Sequence, residues 1–176
     1  MREKNFAGSG ETGNNVDYVQ YEALKKAVKS GDWNAAEEFL KRQPDSAGAK
    51  ISYFDETALH LAVKAGHVDI VEKLVDLMSE EDLAIQTTFG NTALSISIDA
   101  ENYMMVACML RKNNNLLNVE DSNNDIPVNK AIFSGHIELA RYLYSLTPLE
   151  DLTQERHIHG ATLCTQAIYN RSLGKK

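Results

Sequence analysis

The chain has 176 residues, 18 Lys and Arg against 25 Asp and Glu for a net charge of −7, 43% apolar residues and two cysteines. This describes one ordinary soluble domain or one short array, and it excludes a disulfide framework because Cys108 and Cys164 stand alone and far apart. The acidic balance also argues against nucleic acid as a partner. Phosphate binding draws its affinity from Lys and Arg, and no basic cluster here exceeds Lys25, Lys26 and Lys29 or Lys41-Arg42.

Residues 1–16 hold Gly8, Ser9, Gly10, Gly13, Asn14 and Asn15 with almost no apolar content, which predicts a disordered lead. Gly8-Ser9-Gly10-Glu11-Thr12-Gly13 has the letters of a dinucleotide fingerprint, but no strand precedes it and no helix opens from it, so it reads as flexible tail. MREKNFAGSG lacks the apolar run of a signal peptide, and Arg2 stands where myristoylation needs Gly. The longest uncharged stretch, Leu83 to Ile98, is broken by Gln86, Thr87, Thr88, Asn91, Ser95 and Ser97 and is no bilayer span. A cytoplasmic location without direct membrane insertion is therefore expected.

From Glu22 onward the chain repeats itself. TALHLAVKAGHVDIVEKLV from Thr57 aligns with EALKKAVKSGDWNAAEEFL from Glu22, TALSISIDAENYMMVACML from Thr92, IPVNKAIFSGHIELARYLY from Ile126 and the partial TLCTQAIYNRS from Thr162, at spacings of 35, 35, 34 and 36. Within the clearest unit, Leu59, Leu61 and Ala62 are followed by Gly66-His67. Val68, Ile70, Val71, Leu74 and Val75 then recur at helical spacing. Each unit thus predicts helix, tight turn, antiparallel helix and connecting loop. No unit buries its apolar face alone, so stability must come from stacking neighbours.

Thr57-Ala58-Leu59-His60-Leu61-Ala62 with Gly66-His67 resembles the ankyrin-repeat family over about Tyr18 to Arg171. The resemblance implies an all-α ankyrin-repeat solenoid of about five helix-turn-helix units, near 20–54, 55–89, 90–123 and 124–159 with a partial unit at 160–172. Together these span 17–172 and leave a basic tail at 173–176. The third unit has Ser97, Glu101 and Asn102 where the family places Ala, Gly and His, which predicts a looser turn. In the connectors LMSEEDLAIQ from Leu77 and SLTPLEDLTQ from Ser145, Ser79 and Thr147 are placed to cap an extra helical turn. These connectors resemble those of plant ankyrin-repeat proteins whose longer members end in a multi-pass membrane PGG domain. That likeness implies a role in plant stress or defence signalling. Because the chain stops at Lys176 inside its fifth unit, the expectation is a short or truncated relative. Such a form could act at the cytosolic face of a membrane beside a membrane-anchored member, associating with itself or that member through the exposed Leu163, Ala167 and Ile168.

Chemistry-bearing residues have bland readings. Asp121-Ser122-Asn123-Asn124-Asp125 begins like an EF-hand loop, but Ile126 sits where Gly is needed, so a turn with Asx hydrogen bonds is expected. His60, His67 and His136 hold repeat-defined positions. His157 and His159 could supply two metal ligands in a loop, an alternative that no acid, base or nucleophile accompanies. Cys108 reads as a structural thiol and Met104, Met105 and Met109 as adaptable core. Neither catalysis nor a cofactor is expected.

What the resemblance implies is a protein or peptide partner bound by loop tips and the adjoining first-helix face. By register those positions are Tyr53, Phe54, Glu56 and Lys64, then Thr88, Phe89, Asn91 and Asp99, then Ser122, Asn123, Asp125, Phe133 and Ser134, then Ile158 and His159. Tyr53, Phe54, Phe89 and Phe133 are interface anchors by type, the bland alternative being that half of them pack between tips. From Asp55 to Glu101 ten acids face only Lys64 and Lys73, a local balance of −8. The expectation is an aromatic groove whose acidic flank steers a basic segment.

Overall fold

The computed structural model describes residues 18–148. A 3-10 turn at Tyr18–Tyr21 leads into four helix pairs: α1 (Glu22–Ser30) with α2 (Trp33–Arg42), α3 (Ala58–Ala65) with α4 (Val68–Leu77), α5 (Ala93–Asp99) with α6 (Tyr103–Lys112), and α7 (Pro127–Phe133) with α8 (Ile137–Leu146). There is no strand among the described residues, in agreement with the all-helical repeat that the periodicity predicts.

The first helices α1, α3, α5 and α7 pack in chain order as one layer, and in the second layer α4 packs on α6. The sequence pattern explains which face each helix turns inward. In α4, Ile70, Val71, Leu74 and Val75 are buried on one side, while Asp69, Lys73 and Asp76 are exposed on the other. Ala27, Ala62 and Ala131 are buried at matching positions, where a larger side chain would hold neighbouring first helices apart. Leu59, Leu94, Ile98, Met105 and Met109 fill the space between layers; burying each such side chain contributes about 1.5–3 kcal/mol. Met104 departs from the expected methionine core. It is 61% exposed, because α6 turns it outward while Met105 and Met109 point in.

The turn inside each pair is built identically. A left-handed residue ends the first helix, directly at Gly31 (φ 80°) and Gly66 (φ 78°), and one residue further on, after Ala100 and Ser134, at Glu101 (φ 51°) and Gly135 (φ 81°). The next backbone N–H then donates to a carbonyl five residues back, from Asp32 to Ala27, His67 to Ala62, Asn102 to Ser97 and His136 to Ala131. The looser third turn expected from Glu101 does not occur. Glu101 adopts the strained conformation, the Asn102 N–H keeps the bond to Ser97 at 3.0 Å, and the Asn102 side chain caps α6 at the Met105 N–H. Ser97 fits the alanine position because its hydroxyl donates to Leu94 O at 2.7 Å inside the helix.

The connector after α4 forms the extra turn. Ser79 Oγ accepts from the Asp82 N–H and Asp82 Oδ2 accepts from the Ser79 N–H, each at 3.1 Å, and a 3-10 turn follows at Asp82–Ala84. Thr147 instead turns its hydroxyl back to Leu143 O at 2.9 Å. The turn expected after it, the fifth unit, the 173–176 tail, Cys164 and the 1–16 lead lie outside the described residues.

Candidate interaction surface

Three loop tips stand above the first-helix layer, and one small motif shapes them all. Ser52, Thr87 and Asp121, spaced 35 and 34 residues apart, each accept two backbone N–H groups through one side-chain oxygen. Ser52 Oγ serves Phe54 and Glu56, Thr87 Oγ1 serves Phe89 and Asn91, and Asp121 Oδ1 serves Asn123 and Asp125. A backbone bond closes each loop: Ile51 N to Glu56 O at 2.7 Å, Thr87 N to Asn91 O at 3.0 Å and Asp121 N to Asp125 O at 3.0 Å. Left-handed residues Asp55, Gly90 and Asn124 make the reversal possible. At Gly90 the space is also tight, since a Cβ would lie 2.9 Å from that of Ser122.

Because the tips are tied down, their large side chains project. Tyr53 is 79% exposed, Phe54 53%, Phe89 59% and Phe133, at the end of α7, 51%. They are not isolated. Phe54 and Phe89 have ring centroids 5.5 Å apart, Tyr53 meets Tyr18 edge-on at 4.7 Å, and the Thr88 N–H donates to Phe54 O at 2.9 Å. Packing between tips therefore takes one side of three of these rings and leaves the other side open. Tyr18 is missing from the positions carried over by register. So is Val19, exposed at the place equivalent to Phe54; the 35-residue frame itself is the signal that would have found it.

The polar positions divide. Thr88, Ser122, Asn123, Lys64, Asp99 and Ser134 are exposed, and Asn91 and Asp125 are half-buried. Glu56, expected to meet a partner, is only 8% exposed, and its carboxylate takes Lys64 Nζ at 2.6 Å and the Ser52 hydroxyl at 2.8 Å. Burial alone would raise its pKa, but Lys64 and Ser52 together outweigh burial and hold it below the ordinary carboxylate value. Glu56 thus shapes the tip and orients Lys64. Asp99 receives Lys130 Nζ at 3.1 Å and the Ser134 hydroxyl at 3.2 Å. Asp55 pairs with Lys50 at 2.9 Å. Ile158 and His159, with His157, lie outside the described residues.

These pairings redistribute the acidic patch. The acids near the tips are matched, while Asp69, Glu72, Asp76, Glu80 and Glu81 form no ion pair among the described residues and belong to α4 and its connector. The charge that a linear count places beside the aromatics is carried by the second layer. That layer has its own apolar groove of about 450 Å³ between α2 and α4, lined by Trp33, Leu40, Pro44 and Leu77, with Lys73 Nζ 5.2 Å from the Trp33 ring.

Histidines tie the units together. His60 is buried; Thr57 N donates to its Nδ1 at 3.2 Å, so Nε2 carries the proton and faces Asn91 O of the next tip at 3.2 Å. Burial depresses its pKa below the ordinary imidazole value. His67 Nε2 and His136 Nε2 reach back to Lys29 O and Asp99 O at 3.1 and 3.3 Å, at the ends of the preceding first helices. Cys108 is buried and its thiol is pushed up by that burial, which makes it a poor nucleophile. Asp121 Oδ2 takes Lys130 Nζ at 3.2 Å, so the loop with EF-hand letters is a turn closed by an internal ion pair. Among the described residues no group of three His, Cys, Asp or Glu side chains is placed to hold a metal, and no helix is long and apolar enough to cross a membrane.

Comparison with known families places this geometry. Residues 50–97 match the model described as ankyrin repeats (many copies), a stretch that runs from the first tip through α3, α4 and the second tip into α5. No curated protein matches the chain. The match supports an ankyrin-repeat family, whose repeats indicate a protein–protein interaction module and are generally non-catalytic binding scaffolds.

Proposed function

Taking the ankyrin-repeat match over residues 50–97 as the premise, we propose that the chain captures a protein or peptide segment across its loop tips and first-helix face. The observation that carries this reading is a set of four aromatic side chains, each more than half exposed: Tyr53, Phe54 and Phe89 on tips that hydrogen bonds hold in place, and Phe133 at the end of α7. Such side chains bury large apolar area with little entropy left to lose, which suits them as anchors. The tips around them supply exposed polar groups at Thr88, Ser122 and Asn123 for a surrounding rim.

A plant signalling context and a PGG-type relationship belong to this proposal through the lengthened connectors, of which the Ser79–Asp82 capped turn is the built example. A cytoplasmic setting belongs to it in the same way. Affinity capture from cell extract tests the surface. Proteins recovered by the native chain should be lost with Phe54→Ala/Phe89→Ala/Phe133→Ala at an unchanged melting temperature. Equal recovery by the variant would place recognition elsewhere.

A further inference from the structure

The two layers of the first two units carry opposite charge. On the first-helix side, α1 and α3 with the intervening tip bring Lys25, Lys26, Lys29, Lys50 and Lys64 against Glu22, Asp55 and Glu56. Residues 67–82, which form α4 and its connector, carry six acids and the single base Lys73. On the first side every acid is already matched, Glu22 by Lys25, Asp55 by Lys50 and Glu56 by Lys64. Lys26 and Lys29 are exposed and form no ion pair among the described residues, and they line a shallow depression of about 570 Å³ with Lys25, Glu22 and Ser30. Lys29 and Lys64 hold equivalent positions on neighbouring helices; the next equivalent is Asp99, which Lys130 neutralises. The unpaired positive charge of this face is thus confined to α1, the helix that directly follows Tyr18, whose ring meets Tyr53.

We propose that this end of the face takes an acidic linear segment anchored by an aromatic or large aliphatic side chain. The segment's carboxylates meet Lys26 and Lys29 while the anchor rests on the paired rings. The proposal rests on the reading above and reverses the charge that the linear count assigns to the partner. A basic segment would instead be drawn to α4, away from the aromatics. Nucleic acid is disfavoured because two unmatched lysines neutralise too few phosphates and the rings are already paired with each other.

Selection of a phage-displayed random 12-residue peptide library on the immobilised full chain tests it. Enriched peptides should combine Asp or Glu with Phe, Tyr, Trp or Leu. Their binding should fall about tenfold with Lys26→Glu/Lys29→Glu, weaken as salt is raised, and be unchanged in Lys41→Glu/Arg42→Glu on the other layer. Peptides that are basic or uncharged yet lost with Phe54→Ala/Phe89→Ala would overturn the acidic segment and leave the binding surface intact. Absence of enrichment, or enriched peptides indifferent to the aromatic substitutions, would overturn both. Tighter binding of a single-stranded oligonucleotide than of the selected peptides, lost with the double lysine variant, would assign the patch to phosphate and overturn the proposal.

Discussion

Replacing His60 with Ala removes the one side chain that both closes the start of α3 and reaches the next tip. Thr57 N, fully buried with its residue, loses its only acceptor, whereas Asn91 O keeps the Thr87 N–H at 3.0 Å. One stranded donor costs about 1–3 kcal/mol, and the vacated ring volume adds about 1 kcal/mol, so a loss of about 2–4 kcal/mol is expected. His60→Asn should lose less, because its short amide can still accept from Thr57 N without reaching Asn91. Urea unfolding followed by circular dichroism at pH 7.5 reads both values. The pH dependence supplies a second arm. Because burial lowers the folded-state pKa of His60, the unfolded chain takes up a proton first as pH falls. The native contribution is therefore complete above the ordinary imidazole pKa and declines below it, at a slope of at most about 1.4 kcal/mol per pH unit. His60→Ala should flatten the curve between pH 7 and 5. A loss below about 1 kcal/mol, or an unchanged slope, would refute the bridging role.

Two further substitutions probe the turns and the third tip. Lys130→Met strands the buried Asp121 carboxylate and should cost about 2–3 kcal/mol in urea unfolding, with partial recovery in Lys130→Met/Asp121→Asn because the amide leaves no bare charge. Glu101→Gly relieves the left-handed strain at φ 51° and should stabilise the chain by about 0.5–1 kcal/mol; destabilisation would mean that the exposed contact of Glu101 with His136 outweighs backbone strain.

The helix pairs were legible because their period is written in residue types. Small residues at 27, 62, 97 and 131, and Gly at three of four turns, can only recur where the same packing recurs. Glu101 shows the limit of that logic. Neighbouring pairs and the Asn102 cap hold the third turn in the shared geometry, and they override the preference of a single residue. The exposed aromatics were readable for a similar reason, since register decides which positions project.

Charge was not readable in the same way. A count along the chain sums side chains that the fold sends to opposite layers, and it cannot see that Asp55, Glu56 and Asp99 are each held by a lysine. One of those contacts, Lys130 to Asp99, crosses from one repeat unit to the next, and the same lysine also reaches Asp121. The sequence by itself determined the all-α repeat, the turn positions and the row of large side chains, because all of these follow from local period. Only tertiary structure decided which carboxylates are spent, that Glu56 is internal, and that Lys26 and Lys29 of the first layer are left without an ion pair among the described residues. Ion pairs form between side chains brought within a few ångströms in space, and repeat period alone does not specify those distances.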